Sequence, residues 1–485
     1  MQYNTKSSMQ FLHDNTNFAL QFLCLVLLLQ SKQHYSIKKG YAVQRDAMQA
    51  LQEWKSRANR KPLILQGARQ VGKTWLMEEF AKGNYERSIR LSFNEDDSLE
   101  QRIFVDENAS RIIERLEIDQ ETTIEPQSTL LIFDEIQEAP KALASLKSFC
   151  ERKPEYQIIC AGSLLGISLH AQHSFPVGKV EFLDVYPMTF IEFLRAIGRD
   201  KLADLLASSS DWQMLASFHD TLIEQLKSYL FIGGMPEVVS TFVQNCNYQG
   251  ARQIQKQILR SYDLDFSKHA PHEIVPRIRK LFATVPAQLG REKKRFVYSN
   301  IEPGARSSNY DTALQWLVDA GIARTVKRVS TPKLPLAAYE DIRAFKLFIH
   351  DVGLLGCMSG LEASTILDGD EMFIEHKGAL AEQFALNELV AGSGFKPWYW
   401  TNERNSAEID FLIEHRGRAL PLEVKSGTSR HGKSLRAYRD HFSPHVSLRA
   451  SLRNLHRDDW LLNIPLYLLG ELERILESED IPASE

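Results

Sequence analysis

Short apolar runs alternate with amphipathic stretches from about residue 40 to about residue 205. The run at 129–133 has no polar alternation, which is typical of a parallel strand buried on both faces. The stretches between such runs have the period of a helix. The pattern predicts a doubly wound α/β domain with a parallel sheet, whose candidate strands are 63–66, 89–93, 129–133, 157–161 and 180–185.

Beyond residue 205 the pattern becomes mainly helical. Residues 211–272 predict helices interrupted by Gly-Gly-Met-Pro at 233–236, and we interpret them as a lid or linker. Two more helices are predicted over 275–289 and 309–320, the second ending at Gly321. An apolar stretch at 322–329 and the proline-bounded stretch 332–335 would form a wing. We therefore predict a winged-helix-like unit at 273–340, a class of unit that binds either DNA or a partner domain.

Strict alternation appears near the C-terminus, on either side of Arg416-Gly417. A two-residue turn there makes an antiparallel hairpin. Its apolar pairs are Ile413 with Leu420, Phe411 with Leu422, and Ile409 with Val424, all on one face. On the other face the same register sets Asp410 opposite Glu423 and Glu408 opposite Lys425. We assign this hairpin to an α/β domain over 341–485.

Composition excludes some classes of protein and leaves others open. With 485 residues, 44% hydrophobic and 25% charged, the chain has the make-up of a soluble protein of two to four domains. A net charge of −4 gives no overall attraction to nucleic acid, so any contact with DNA depends on local basic patches. The five cysteines are scattered, which fits a reducing compartment and predicts a cytoplasmic protein.

The first 36 residues stand apart from this organisation. Residues 22–29 are continuously apolar, a run too short to span a bilayer. Neither a basic segment before the run nor a small-residue cleavage site after it supports a signal peptide. We interpret residues 1–36 as a disordered extension or an artefact of the assigned start codon, with a peripheral membrane or partner contact as the alternative.

Residues 67–74 read GARQVGKT and fill the phosphate-loop pattern G-x-x-x-x-G-K-[ST]. The loop lies between a predicted strand and a predicted helix, the arrangement that forms a phosphate site. Lys73 would reach the β- and γ-phosphates of ATP, and the Thr74 hydroxyl would ligate Mg²⁺. The predicted nucleotide-binding residues are Gly67, Ala68, Arg69, Gln70, Val71, Gly72, Lys73 and Thr74.

Two carboxylates end the apolar run at 129–133. Asp134 would hold Mg²⁺ beside Thr74, and Glu135 would polarise the water that attacks the γ-phosphate. A strand followed by an acidic helix cap is the alternative. The candidate strand 157–161 leads to Ser163, whose hydroxyl would lie beside the γ-phosphate unless Gly162-Ser163 is a plain turn.

The charged face of the C-terminal hairpin is a second candidate site. Two carboxylates about 5 Å apart repel each other unless a cation lies between them, so Asp410 and Glu423 would suit a divalent metal. Lys425 would orient a water or stabilise a phosphate, and Glu382 would add a helix-borne carboxylate. This pattern is that of PD-(D/E)-x-K nucleases; charged pairs on a solvent face that need no metal are the alternative. Neighbouring basic residues would contact a phosphate backbone: Arg416, Arg418, Arg430, Lys433, Arg436 and Arg439.

Taken together, these motifs resemble a prokaryotic family of AAA-superfamily ATPases with a nuclease-like C-terminal domain of unknown function. The likeness extends from about residue 40 to about residue 450 and includes the segments GARQVGKT, LIFDEIQ, YPMTF, GGMPE, DFSK, DVGLL and EIDFLIE…LEVKSG. It implies ATP binding with slow hydrolysis, a winged-helix connector and a restriction-endonuclease-like module. Many relatives carry Gly-Arg before the strand at 180–185, where this chain has Gly178-Lys179, so Lys179 would have to act as a point charge.

The main hypothesis is a Mg²⁺-dependent ATPase whose nucleotide state controls the winged-helix and nuclease-like modules, acting on DNA. The predicted segments are the ATPase domain at 37–210, the helical lid at 211–272 and the two modules at 273–340 and 341–485. The alternative is a nucleotide-dependent switch that binds a protein partner through a non-cleaving C-terminal domain. A homo-oligomer is a further expectation, since many AAA-superfamily enzymes form rings; a toxin–antitoxin or defence role rests on the resemblance alone.

Overall fold

A five-stranded parallel sheet forms the N-terminal part of the described chain. Its strands lie in the order β2-β3-β4-β1-β5, and every pairing among them is parallel. The predicted sheet is confirmed. The strands are β1 (Leu63–Gln66), β2 (Arg87–Ser92), β3 (Thr129–Asp134), β4 (Gln157–Gly162) and β5 (Glu181–Asp184).

The structure is a computed structural model that describes residues 44–96, 98–162, 175–291, 294–363, 374–402, 407–427 and 433–478. The predicted extension at 1–36 lies outside these ranges, as do Ser163 and Arg430. The described residues belong to one compact unit. Within them, no helix is both long and apolar enough to cross a bilayer.

Both faces of the parallel sheet are buried. Leu63 and Leu65 of β1 pack into one hydrophobic core, while Ile64 between them packs into a second core on the opposite face. The continuous apolar runs in the sequence follow from this two-sided burial. The helices before and between the strands are α1 (Ala47–Ser56), α2 (Lys73–Asn84), α3 (Leu99–Ile103), α4 (Ala109–Asp119) and α5 (Pro140–Arg152).

A run of helices follows the first sheet, as predicted. The break at 233–236 is present: Gly233 has a φ of 77°, and Pro236 begins the next helix, where its missing N–H costs nothing. The helices predicted at 275–289 and 309–320 are confirmed. The series consists of α6 (Phe190–Ala196), α7 (Asp200–Ser208), α8 (Trp212–Ser217), α9 (His219–Ile232), α10 (Pro236–Asn245), α11 (Tyr248–His269), α12 (Val275–Leu289) and α13 (Ser307–Asp319).

An eight-stranded mixed sheet forms the C-terminal part, in the order β12-β13-β11-β10-β9-β8-β6-β7. Its strands are β6 (Ala323–Val329), β7 (Glu340–Ile349), β8 (Trp398–Thr401), β9 (Glu408–His415), β10 (Arg418–Val424), β11 (Ser447–Ser451), β12 (His456–Arg457) and β13 (Leu461–Pro465). The accompanying helices are α14 (Val352–Met358), α15 (Ile374–Asn387), α16 (Lys433–Phe442) and α17 (Leu472–Glu477).

The predicted wing takes a different form in the structure. Its first strand, β6, is present, but residues 332–335 are irregular and the second strand is β7. Strand β6 pairs antiparallel with β7 and also parallel with β8. Because β8 pairs with the edge of β6 that β7 leaves open, β6 and β7 are part of the C-terminal sheet and do not form a separate hairpin. The predicted boundary at 340/341 therefore falls inside one continuous sheet.

The predicted register of the acidic hairpin is confirmed over most of its length. Ile413 pairs with Leu420 and Phe411 with Leu422, in a ladder that extends from His415 opposite Arg418 to Phe411 opposite Leu422. Arg416 and Gly417 have φ values of 45° and 73°. Two successive positive φ angles are those of a type I′ turn, whose twist matches that of a two-residue hairpin.

Candidate functional site

The segment at 67–74 forms a tight loop between β1 and the N-terminus of α2. Gly67 has a φ of 145°, and a Cβ there would lie 2.2 Å from the carbonyl oxygen of Val185. Gly72 has a φ of 90° and directly precedes α2. Only glycine fits these two positions without strain. The strand–loop–helix arrangement predicted for a phosphate site is therefore present.

Protein donors hold several carbonyl oxygens of the loop. The Arg45 guanidinium donates to Val71 O (3.0 Å) and to Tyr186 O (2.6 Å), and it is ion-paired with Glu192. The Tyr262 hydroxyl donates to Arg69 O at 3.0 Å. With its carbonyls turned to these donors, the loop can present N–H groups to a phosphate.

Lys73 begins α2, and its side chain reaches back to the start of the loop. Its ammonium donates to Gly67 O (2.9 Å) and Ala68 O (2.8 Å). Burial lowers its pKa to about 8, against the opposing effect of Glu135 and Asp134. A buried cation held only by neutral carbonyls and nearby carboxylates is well placed to accept a phosphate as an anionic partner.

Thr74 and Asp134 lie together, as predicted. The Thr74 hydroxyl is 3.1 Å from Asp134 Oδ2. Asp134 is buried and also accepts from Arg90 at 2.8 Å, a contact that the sequence did not indicate. One hydroxyl and one oriented carboxylate at the edge of a phosphate loop fit the oxygen ligands that Mg²⁺ takes beside a nucleotide.

Glu135 follows at the carboxyl end of β3 in the left-handed conformation, with φ 53° and ψ 46°. This turn separates the direction of its side chain from that of Asp134 and leads into a short 3₁₀ helix, Ile136–Glu138. The Gln137 amide donates to the Glu135 carboxylate. The carboxylate is thus positioned by a neighbour. Ser163, predicted to contact the γ-phosphate, lies outside the described residues.

A cavity of about 420 Å³ adjoins the first half of the loop, and we call it the loop-side cavity. Gly67 and Ala68 line it together with Gly162, Tyr186, Arg324 and His350. Parallel strands end at one edge of a sheet, so this cavity lies where ligands of such sheets bind. The C-terminal sheet supplies its opposite wall, through Arg324 of β6 and through His350, which directly follows β7.

Lys179 does not lie at this edge. It precedes β5 and so lies at the amino end of a parallel strand, where it is paired with Glu151 of α5 at 2.8 Å. The prediction that Lys179 substitutes, as a point charge, for an arginine that contributes to hydrolysis is therefore wrong.

The second predicted site, on the C-terminal hairpin, contains a residue that the sequence did not point to. Lys346 of β7 is fully buried, and its Nζ lies 2.6 Å from Glu408 Oε1, 3.4 Å from Glu382 Oε2 and 3.6 Å from Asp410 Oδ1. Lys294 is also ion-paired with Glu382. We call these five residues the acidic cluster. Its carboxylates meet ammonium groups from β7 and from the segment before α13.

The charges in the cluster control one another. Burial alone would raise the pKa of Glu382, but Lys294 and Lys346 outweigh it and hold that pKa well below its usual range. Burial raises the pKa of Asp410, and the Glu382 charge adds to the effect. Asp410 also accepts from the Val424 N–H at 2.8 Å.

Glu423 and Lys425 pair with each other, at 2.9 Å. The second Glu423 oxygen, Oε2, is buried without a hydrogen-bond partner among the described residues. Across the part of the chain that the structure describes, no three His, Cys, Asp or Glu side chains come together as a metal-holding group. The predicted metal site of Asp410 and Glu423 with Glu382 is thus not assembled as expected, because Lys346 lies among the carboxylates.

The predicted basic surface is only partly available. Arg416 is paired with Glu477 and Arg439 with Asp440. Lys294, a further basic residue near the predicted winged-helix-like unit, is ion-paired within the acidic cluster.

Three family models match separate parts of the chain. Residues 59–194 match a family described as AAA domain, which covers the parallel sheet and the phosphate loop. Residues 223–365 and 377–469 match two domains of unknown function, DUF8612 and DUF4143. By the first match and by its loop geometry, this part of the chain is similar to P-loop domains of AAA type.

Relatives and solved structures are more distant. Two uncharacterized proteins, from Mycobacterium bovis and Mycobacterium tuberculosis, are each 31% identical over 114 residues, or 24% of this chain. The matching region spans only a quarter of the length of these relatives.

Among solved structures, the Walker-type ATPase of Pyrococcus abyssi is 14% identical with a TM-score of 0.41, over 66% of this chain and 96% of that one. Cdc6p from Pyrobaculum aerophilum is 12% identical (TM-score 0.23; 68% and 96%), and the Aeropyrum pernix Orc1 protein in complex with DNA is 11% identical (TM-score 0.25; 65% and 90%).

Proposed function

We propose that the protein is a Mg²⁺-dependent ATPase whose nucleotide state controls its C-terminal module, by which we mean the part of the chain that carries the eight-stranded sheet. The observation that carries this proposal is the arrangement of Lys73, Thr74, Asp134 and Glu135 at one edge of the parallel sheet. In hydrolysis of this type, the protein contributes positioning and charge stabilisation more than covalent chemistry.

Each of these residues has a defined part in the proposed reaction. Lys73 and the loop N–H groups would bind the phosphates, and Thr74 and Asp134 would hold Mg²⁺, which neutralises charge on the phosphate oxygens. Glu135 would accept a hydrogen bond from the attacking water and so orient it. Ser163 remains a predicted contact of the γ-phosphate.

Contacts between the phosphate loop and later elements support control of the C-terminal module. Gly321, just before β6, approaches the loop so closely that a Cβ there would lie 2.9 Å from Ala68 N. The Tyr262 hydroxyl is 3.0 Å from Arg69 O and 3.1 Å from His350 Nε2, and His350 Nδ1 is 3.0 Å from Ile322 O. A shift of the loop on nucleotide binding would therefore act directly on the start of β6 and the end of β7.

For the C-terminal module we infer binding without cleavage, the alternative drawn from the sequence. Lys346 supplies the cation that the facing carboxylates need, so the acidic cluster does not fit a divalent metal as arranged. The partnerless Glu423 Oε2 is the observation that favours metal-dependent DNA cleavage, and it makes cleavage the second candidate function. A homo-oligomer and DNA as the bound partner remain proposals from the sequence.

Steady-state ATP hydrolysis tests the main proposal. Wild type should turn over ATP in the presence of Mg²⁺, Glu135→Gln should be about 10²–10⁴-fold slower while still binding ATP, and Lys73→Ala should bind ATP weakly. Wild type that binds no nucleotide, or Glu135→Gln at the wild-type rate, would overturn the assignment.

Assays with double-stranded DNA then distinguish the two candidate functions of the module, binding without cleavage and metal-dependent cleavage. Stimulation of turnover by DNA without cutting, in Mg²⁺ or Mn²⁺, supports a DNA-binding switch, while turnover indifferent to DNA supports a protein partner. Metal-dependent cutting that Asp410→Ala abolishes would establish the nuclease instead.

A further inference from the structure

One arginine at the loop-side cavity differs from the others around the phosphate loop. Arg45, Arg69 and Arg90 are ion-paired with Glu192, Asp265 and Asp134. Arg324, by contrast, makes no ion pair within 4.0 Å among the described residues. Among the described residues at this edge of the sheet, Arg324 therefore resembles Lys73, which also has no carboxylate in direct contact and donates to carbonyl oxygens instead.

The surroundings of Arg324 hold the guanidinium without a salt bridge. Its central carbon lies 5.1 Å from the centroid of the Tyr186 ring, a cation–π contact. The nearby Asp184 carboxylate accepts instead from the Gln66 amide (2.7 Å) and the Tyr186 hydroxyl (3.3 Å). Partial burial lowers the pKa of Arg324. A half-buried guanidinium without a carboxylate is costly unless an anion joins it.

The backbone brings Arg324 to the phosphate loop. Gly321 touches the loop at Ala68, and Arg324 follows three residues later, at the second position of β6. Gly67 and Ala68 line the same cavity as Arg324, on the loop's first half, next to Gly162 at the end of β4. The carboxyl ends of β1, β3 and β4 all point to this edge, where the γ-phosphate end of a nucleotide would lie.

His350 shows that the loop and Arg324 share one electrostatic environment. Burial lowers its pKa to about 4, and the charges of Arg324 and Lys73 contribute to that lowering. The imidazole is therefore neutral at pH 7, which avoids a third cation beside the other two. Arg324 and His350 both line the cavity, and Lys73 is near enough for its charge to act on the same imidazole.

We propose that Arg324 contacts the terminal phosphate of bound ATP from within the same chain and so reports its presence to the C-terminal sheet. This inference rests on the proposed ATPase function. A guanidinium placed at the γ-phosphate stabilises the charge that develops in phosphoryl transfer. Since Arg324 belongs to β6, which pairs with both β7 and β8, loss of the γ-phosphate would release a strand in the interior of that sheet.

Nucleotide affinities in a Glu135→Gln background give the first test, because they do not depend on hydrolysis. Titration calorimetry with ATP and with ADP should show that Arg324→Ala lowers the affinity for ATP at least tenfold and leaves that for ADP unchanged. Arg324→Lys should retain part of the preference, as a point charge without the planar fork. Lys327→Ala, on the same strand, is the matched control and should bind both nucleotides like its parent.

Turnover with Glu135 present gives the second test. Arg324→Ala should be about 10²–10³-fold slower than wild type, and mixing it with Lys73→Ala protein should not restore the rate, since the arginine acts in its own chain. Restoration by mixing would overturn the contact within one chain. Unchanged ATP preference and turnover in folded Arg324→Ala would overturn the whole inference, while leaving a working wild-type ATPase intact. Should Arg324→Ala fail to fold, the ratio of ATP to ADP affinity is measured in Arg324→Lys and Arg324→Gln instead. The proposal predicts a lower ratio than in the parent for both variants, and an unchanged ratio in both would overturn it.

Discussion

The sequence predicted a metal-dependent site both at the phosphate loop and at the acidic cluster, but the two sites differ in where the charges that balance them come from. At the loop, the groups that matter lie within eight consecutive residues and in the strand ending at Asp134. At the cluster, charge balance comes from Lys346 and Lys294, at least 36 residues distant in sequence from the nearest of the carboxylates they contact. A local motif is a safe guide to chemistry only where the neutralising partner is also local.

The difference also concerns what each site has left to bind. At the loop, the hydrogen-bond acceptors of Lys73 among the described residues are neutral carbonyls, so an anionic ligand adds a missing partner. In the cluster, Glu382 already has two lysines and Asp410 shares one of them. A divalent cation would have to displace an ammonium that is already buried there.

Replacing Lys346 should have the largest effect on this comparison. Lys346→Met keeps the approximate volume but leaves buried carboxylates without their central cation, which should cost about 3–5 kcal/mol of unfolding free energy. Urea unfolding followed by circular dichroism would measure this. Lys425→Met is the control: its ammonium is about one-third exposed, and the loss should stay under about 1 kcal/mol.

The same variant shows whether Lys346 stands in for a metal. If it does, Mn²⁺ or Mg²⁺ should raise the melting temperature of Lys346→Met and leave that of wild type unchanged. Stability of Lys346→Met equal to wild type in metal-free buffer would contradict the role given to this lysine.

A pH prediction compares two glutamates six residues apart. Glu382 of α15 has lysine partners, whereas Glu388, just after α15, accepts from the Phe190 N–H at 2.9 Å and is surrounded by further carboxylates. Burial, with the charge of Glu192, raises the pKa of Glu388 to about 8. A raised folded pKa gives stability that is full below the ordinary value of 4.5 and is lost as the pH rises through about 8.

Glu388→Gln should remove that loss. Relative to wild type, its unfolding free energy should increase between pH 5 and pH 8 by up to about 1.4 kcal/mol per pH unit. Glu382→Gln should instead be less stable than wild type at pH 7, because the lowered pKa of Glu382 stabilises the fold above the ordinary value. Melting curves from pH 5 to 8 measure both, and parallel pH profiles for wild type and Glu388→Gln would count against the assignment.

The sequence predicted local features well and distant pairings poorly. Apolar runs, the glycine positions and the Arg416-Gly417 turn all act through the residue itself or its neighbours, and the structure confirms the elements they predicted. The wing was placed wrongly because the strand that covers β6 is β8, about 70 residues later. The sequence held one weak sign of the role of Lys346, which is a lysine within an apolar run. It held no sign of the position of Arg324, because β6 reaches the loop only through the close approach of Gly321 to Ala68.

The smallest predicted effect concerns how firmly later elements hold the loop. Tyr262→Phe removes the hydroxyl that donates to Arg69 O. We expect this to cost about 1 kcal/mol of the free energy of ATP binding, so ATP affinity should fall about fivefold with little change in melting temperature. Tyr310→Phe is the matched control, because its hydroxyl donates to Glu302 (2.7 Å) instead of to the loop. Equal ATP affinities in the two variants would mean that α11 does not hold the loop in its binding conformation. A loss confined to Tyr262→Phe would show that the loop, although local in sequence, depends on a distant anchor much as the acidic cluster does.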